Sequence, residues 1–202
     1  MSEKIKSDIE LYHDHHLWIP TRTISMGSMH SDAELTEGGV DYRMVDVLIK
    51  NLDILEDISD KPIIVKMNNV GGDYYHGTAI YDRIKECNCF VTIKVYGHAM
   101  SMGAIILQAA DERIMMPEST FMIHEGTDGL IGHPRDVENC ADEIKRIRTR
   151  VNNIFHTRVK EAGKRISYKK LEELQMFNKF MDPKTAIKYG FADKIGEYGH
   201  AA

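Results

Sequence analysis

The sequence is poor in cysteine, lacks a basic tract and has no long uninterrupted apolar run, and each shortage removes a class of protein. Its three cysteines, Cys87, Cys89 and Cys140, are an odd number in 202 residues and form no CxxC pair. That argues for reduced thiols in a cytoplasmic protein and against a disulfide framework or a metal cluster. With 26 Lys+Arg against 31 Asp+Glu the net charge is −5 and no basic arm is present. The electrostatic footprint of nucleic-acid binding is therefore missing. The opening stretch MSEKIKSDIELYHDHHLWIP alternates charges and histidines without the apolar core of a secretory signal. The most membrane-like stretch, Phe90 to Leu107, is interrupted by Lys94, Gly97, His98 and Gly103 and changes period halfway, so it reads as a buried strand, a turn and a buried helix and not as a membrane span.

What is present is an ordinary globular composition, 43% hydrophobic and 28% charged. The length suits one sizeable domain, able to bury about 70% of the surface its unfolded chain exposes. Residues 1–16 read as a mobile polar arm, residues 17–196 as a single domain and 197–202 as a tail. Along that domain, strand-like runs (Trp18 to Met26, IIVKM from Ile63, Phe90 to Tyr96, RIMMP from Arg113, TFMIH from Thr120) alternate with helical periodicity over Val40 to Leu55, His76 to Lys85 and Ser101 to Ala110. The turn-rich SMHSDAELTEGG before Val40 reads as a loop. Beyond Pro134, apolar positions from Val137 to Val159 recur at i, i+3, i+4, i+7 and predict one helix of about 40 Å ending near Gly163. In the tail of the domain, Asp182 before Pro183 reads as an N-cap, Gly190 as a helix stop and FADKI as a last short strand. The alternation calls for an α/β fold.

Three features stand at the C-terminal ends of predicted strands, where open α/β sheets place their sites. Gly97-His98-Ala99-Met100-Ser101-Met102-Gly103 lifts a serine onto a strand-to-helix turn, with unpaired helix N–H groups behind it, though the spacing is G-x-x-x-S-x-G and not the hydrolase elbow. Taken alone it is also compatible with a serine N-cap. His124 closes the strand TFMIH, and Asn69-Val70-Gly71-Gly72-Asp73 is a paired-glycine turn able to point a backbone N–H into a site.

Their joint order resembles the ClpP family, the proteolytic subunits of the ATP-dependent Clp protease. The likeness is carried by VGGDYYHGTAIYDRIK, by GHAMSMGAIILQAADERIMMPESTFMIHEG and by FMDPKTAIKYGFAD. It implies a ClpP/crotonase-like α/β fold of repeated β-β-α units with a protruding helix-strand handle over about 125–162. It implies Ser101 as nucleophile, His124 as general base, and the N–H groups of Gly72 and Met102 as the oxyanion hole. An extended substrate would lie between Gly71, Gly72, Asp73 and Tyr74 on one side and Glu125, Gly126 and Thr127 on the other. The family's third triad member is an aspartate two residues before the phenylalanine of the last segment; here Phe180 puts Asn178 there, an acceptor without charge. The resemblance further implies a double, heptameric ring of this chain, an AAA+ unfoldase that uses the ATP, unfolded polypeptides as substrates and no cofactor or metal on this chain. Asn178 also admits a catalytically weak or inactive structural subunit, and the related crotonase fold admits an acyl-CoA enzyme.

Overall fold

The structure is a computed structural model describing residues 7–27, 38–126 and 131–199. From the N-terminus the chain forms α1 (Asp8–His15), β1 (Leu17–Trp18), a single 3-10 turn (Ile19–Thr21), β2 (Thr23–Met26), α2 (Tyr42–Ile58), β3 (Ile63–Asn69), α3 (Tyr74–Glu86) and β4 (Val91–Met100). There follow α4 (Met102–Leu107), β5 (Glu112–Met115), β6 (Thr120–Ile123), α5 (Pro134–Glu161), α6 (Tyr168–Gln175), β7 (Lys179–Met181), α7 (Pro183–Tyr189) and β8 (Lys194–Ile195).

Strand alternation builds the sheet. In β3 the residues Ile63, Val65, Met67 and Asn69 are buried while Ile64, Lys66 and Asn68 face outward. The inward row joins one apolar core with Met44, Leu48, Leu52 and Leu55 of α2 and Ile80 and Ile84 of α3. Strands β2, β3, β4, β5 and β8 run parallel in that order, as crossover helices require, and β1 closes one edge antiparallel. At Gly97, where φ is 69°, the sheet forks: Thr92–Val95 of β4 pair with β5, whereas His98–Met100 pair with β6. A Cβ at Gly97 would lie 2.4 Å from the Asn68 side-chain oxygen, so only glycine fits this fork.

Several expectations change in detail. Within the expected mobile arm, Asp8–His15 is helical because Ser7 and Glu10 form a reciprocal capping box, and the Asn51 amide ties the helix down through the His15 carbonyl at 2.7 Å. The expected first strand is broken by the turn at Ile19-Pro20-Thr21, since proline fixes φ and removes a ladder donor. The loop expected before Val40 lies mostly outside the described residues. Strand β7 was not foreseen; it is three residues long and its burial pattern offers almost no apolar signal.

The long helix α5 spans Pro134–Glu161 behind a His133 N-cap. Its last turns bury Val151, Asn152, Phe155 and Val159, while Cys140 and Ile131 ahead of them are exposed. Half of the helix thus belongs to the core and half projects from it. Part of the strand expected ahead of it falls outside the described residues; Glu125 and Gly126 are not in a strand.

Candidate active site

The fork at Gly97 decides where the site lies. Past it, β4 runs between the Asn69 end of β3 and β6, and Ser101 follows directly, its N–H bonded to the Met122 carbonyl of β6 at 2.9 Å. The antiparallel register of β6 with β7 pairs Ile123 with Lys179 and Phe121 with Met181, and one step further sets His124 opposite Asn178. The same register leaves Asp182 four residues along, about 14 Å from His124 at the rise of a strand. Its carboxylate accepts the Thr185 N–H at 2.8 Å as the cap of α7, and hydrogen bonds from the Thr185 hydroxyl and then from that N–H hold its carboxyl below the usual carboxylate range.

Ser101 Oγ lies 2.8 Å from His124 Nε2, and His124 Nδ1 lies 2.9 Å from Asn178 Oδ1. A carboxamide oxygen can only accept, so it fixes the imidazole proton on Nδ1 and leaves Nε2 to accept the serine hydroxyl. Although Ser101 sits at the N-cap position of α4, its side chain makes no cap bond. Its backbone adopts φ 52° and ψ −119°, a region costing a non-glycine residue about 1–3 kcal/mol. This conformation turns the hydroxyl away from the helix it precedes and toward the imidazole.

The glycine turn lies beneath the serine. Val40 forms a parallel bridge to Gly72, its N–H donating to the Gly71 carbonyl at 2.6 Å and its carbonyl accepting from Asp73 at 2.9 Å. In such a bridge the residue between those two bonds turns its own N–H to the opposite side. Gly72 accordingly presents its N–H to the cleft that it lines with Ser101, Met102 and His124. Met102, as the first residue of a helix, carries an N–H with no intrahelical acceptor.

The cleft has a volume of about 530 Å³. Asp73, Tyr74, Glu125 and Gly126 line it, while Thr127 lies outside the described residues. Gly71 does not line it: its N–H is taken by Asn69 and its carbonyl by Val40, so its part is to shape the turn. Tyr74 is already helical, with Asp73 as the cap of α3, which limits the extended edge on this side to Gly72 and Asp73. The opposite wall comes from Ile144, Ile147, Arg148 and Val151 of α5 and from Ile105, residues that no local motif marks. Arg148 reaches across to Glu125 at 3.0 Å. Burial pushes the Tyr74 phenol above its usual range, against the opposing fields of Arg150 and Arg146.

A hydroxyl, an imidazole and an amide stand in one hydrogen-bonded line beside Gly72 and Met102 at the strand ends of an α/β sheet, an arrangement chemically able to carry nucleophilic acyl transfer. The family model described as Clp protease matches residues 22–199, and the chain belongs to that family. It is 31% identical over 159 residues to the ATP-dependent Clp protease proteolytic subunit of Deinococcus radiodurans, covering 77% of this chain and 76% of the relative. It is 32% identical over 164 residues to the ATP-dependent Clp protease proteolytic subunit 2 of Pseudomonas aeruginosa, covering 78% and 77%. Among solved structures, an asparagine-to-aspartate mutant of ClpP1 from Listeria monocytogenes superimposes with a TM-score of 0.75 at 26% identity, over 93% of this chain and 96% of that one. The mixed α/β architecture is therefore that of ClpP, and the chain is a ClpP-like protease. Among the described residues, no helix is long and apolar enough to cross a membrane.

Proposed function

We propose that the chain is a serine endopeptidase that cleaves unfolded polypeptides inside a self-compartmentalised double ring of heptamers, in the cytoplasm, fed by an AAA+ unfoldase that consumes the ATP. The observation that carries the chemistry is the 2.8 Å contact between Ser101 Oγ and His124 Nε2. Oγ attacks the scissile carbonyl carbon as Nε2 takes its proton, and the oxyanion forms against the N–H groups of Gly72 and Met102. The imidazolium then gives that proton to the leaving amine, and water repeats the sequence on the acyl-serine. Asn178 orients the ring through its carbonyl but puts no charge beside the imidazolium. No cofactor or metal enters these steps. Substrate backbone would add beside Gly72–Asp73 and Glu125–Gly126, with a side chain directed toward the apolar wall of Ile105, Ile144, Ile147 and Val151.

Support for the assembly comes from the relatives' names as proteolytic subunits of an ATP-dependent protease and from the projecting half of α5. The neutral Asn178 favours a second reading, a catalytically weak ring subunit. A fluorophosphonate probe separates the two: stoichiometric labelling of the parent, lost in Ser101→Ala protein of unchanged fold, supports the peptidase. Absence of labelling in the assembled parent refutes it.

A further inference from the structure

Asn69 ends β3 with no exposed surface. Its Oδ1 accepts the Gly71 N–H at 2.9 Å, two residues on, which closes an Asx turn, and its Nδ2 faces Met44 Sδ at 3.6 Å. The turn carries positive φ at both glycines, 104° at Gly71 and 143° at Gly72. Directly above it stands the serine: a Cβ on Gly71 would lie 2.6 Å from Ser101 Cβ and 3.0 Å from the Met102 nitrogen. The same Asn69 oxygen also meets the first turn of α4, where a Cβ on Gly103 would come within 2.7 Å of it. One buried side chain therefore bonds to the glycine turn and fills the space in front of Gly103 at the start of α4, the two elements that carry the donors of the oxyanion site. Its strongest bond goes to the turn that aims the Gly72 N–H.

We propose that Asn69 is the positioning residue of the oxyanion hole, setting the Gly72 N–H against that of Met102 without touching substrate. This rests on the serine-endopeptidase reading above. Without its acceptor the Gly71 N–H loses its anchor, and the Gly72 peptide is held from one side only, by the Val40 N–H on the Gly71 carbonyl, so its N–H is aimed less tightly. Ground-state binding, which is spread over Asp73, Glu125, Gly126 and the apolar wall, changes little, whereas the tetrahedral intermediate loses an aligned donor. Removing such a donor outright slows catalysis about 10²–10³-fold, so misaligning it should cost about 10- to 100-fold.

The test uses the full-length assembled protein, with the fluorophosphonate reaction of the parent as its first control. Asn69→Ala should lower kcat on a fluorogenic peptide about 10- to 100-fold at unchanged KM. Affinity for a peptide boronate, whose adduct on Ser101 mimics the tetrahedral intermediate, should weaken by the same factor, while affinity for the product peptide stays at the parent value. Asn69→Ser, whose hydroxyl can accept the same N–H, should recover most of the rate. The proposal is overturned by Asn69→Ala with parent-like kcat and boronate affinity, by equal losses for boronate and product peptide, or by a serine variant no better than alanine. Should Asn69→Ala not assemble, Asn69→Leu, close in size and without an acceptor, takes its place: at least tenfold weaker boronate binding at parent-like product affinity in an assembled protein supports the role, and parent-like boronate binding refutes it. A parent that does not react with the phosphonate sinks the protease reading; a parent that reacts, with variants reacting as fast, sinks the role of Asn69 alone.

Discussion

Replacing Asn178 by aspartate exchanges its amide nitrogen for an oxygen, leaves an acceptor in the hydrogen-bonded line and adds a charge where the structure has none. The side chains are isosteric, so a carboxylate oxygen takes the place of Oδ1, 2.9 Å from His124 Nδ1. A unit charge about 4 Å from the imidazolium is worth about 4 kcal/mol at an effective dielectric of about 20 and about 1 kcal/mol in bulk water. Asn178 is exposed and His124 half-buried, which places the gain near the lower figure, about 1–2 kcal/mol. That attraction acts on the imidazolium formed as Ser101 attacks, and converts to about a 5- to 30-fold rise in kcat. The same attraction favours the protonated ring before substrate arrives, so the acidic limb of the rate profile moves to higher pH in Asn178→Asp. Asn178→Ala removes the acceptor and loses most activity while assembling normally. The assay is peptidase kcat across pH, normalised to active sites by phosphonate titration. An aspartate variant with parent-like or lower kcat at every pH, or an alanine variant that works like the parent, would refute the role given to this residue.

Asp182→Ala should leave the site intact and cost about 1 kcal/mol through loss of the α7 cap, seen as a small fall in denaturation midpoint at parent-like kcat; a silent but folded Asp182→Ala would instead make Asp182 the third triad member. Asp193→Asn should destabilise by about 3 kcal/mol in urea unfolding, because Arg113, itself buried, donates to that carboxylate from its backbone and its guanidinium and would be left uncompensated. Burial pulls the Asp193 carboxyl upward, but the hydrogen bonds and charge of Arg113 outweigh it and hold the group below its ordinary value of 3.8. Its stabilisation is therefore complete above that value and lost as pH falls through the lower folded one, and in Asp193→Asn this acid-dependent part of the stability curve should flatten. Sedimentation at micromolar concentration should find a large oligomer, since the exposed half of α5 and the outward residues Ile64 and Tyr96 leave apolar surface uncovered on one protomer; a stable monomer would contradict this.

The parts of the fold that sequence makes legible are those with a period. β3 alternates, α5 repeats at 3.6, and Asp182-Pro183 with Gly190 bracket α7 by cap chemistry alone. Ser101 and His124 could be paired because each closes a strand next to glycine-rich chain, and a family resemblance set their order. What stays hidden depends on register and tertiary approach. Asn178 is placed by the family resemblance alone, and the strand that brings it to His124 is not: the three residues of β7 carry no apolar alternation. Ile144 and Ile147 belong to an apolar stripe that reads as a protruding handle, Arg148 lies beside that stripe, and only the approach of α5 to Ser101 makes them a wall. Asn69 left a local trace, an asparagine two residues before a glycine pair, which is the signature of an Asx turn.

Ser101 rests in a backbone conformation that a glycine would occupy without strain. The native state therefore carries a local spring, wound by the fold and held by the Met122 carbonyl, the glycine turn below and the buried helix α4 behind. A spring relaxes when its clamps slacken, well before the body that holds it comes apart. Warming should accordingly rotate the Ser101 hydroxyl out of line with His124 while the sheet is still intact, so that peptidase activity fades at a temperature where the far-ultraviolet dichroism has not yet changed.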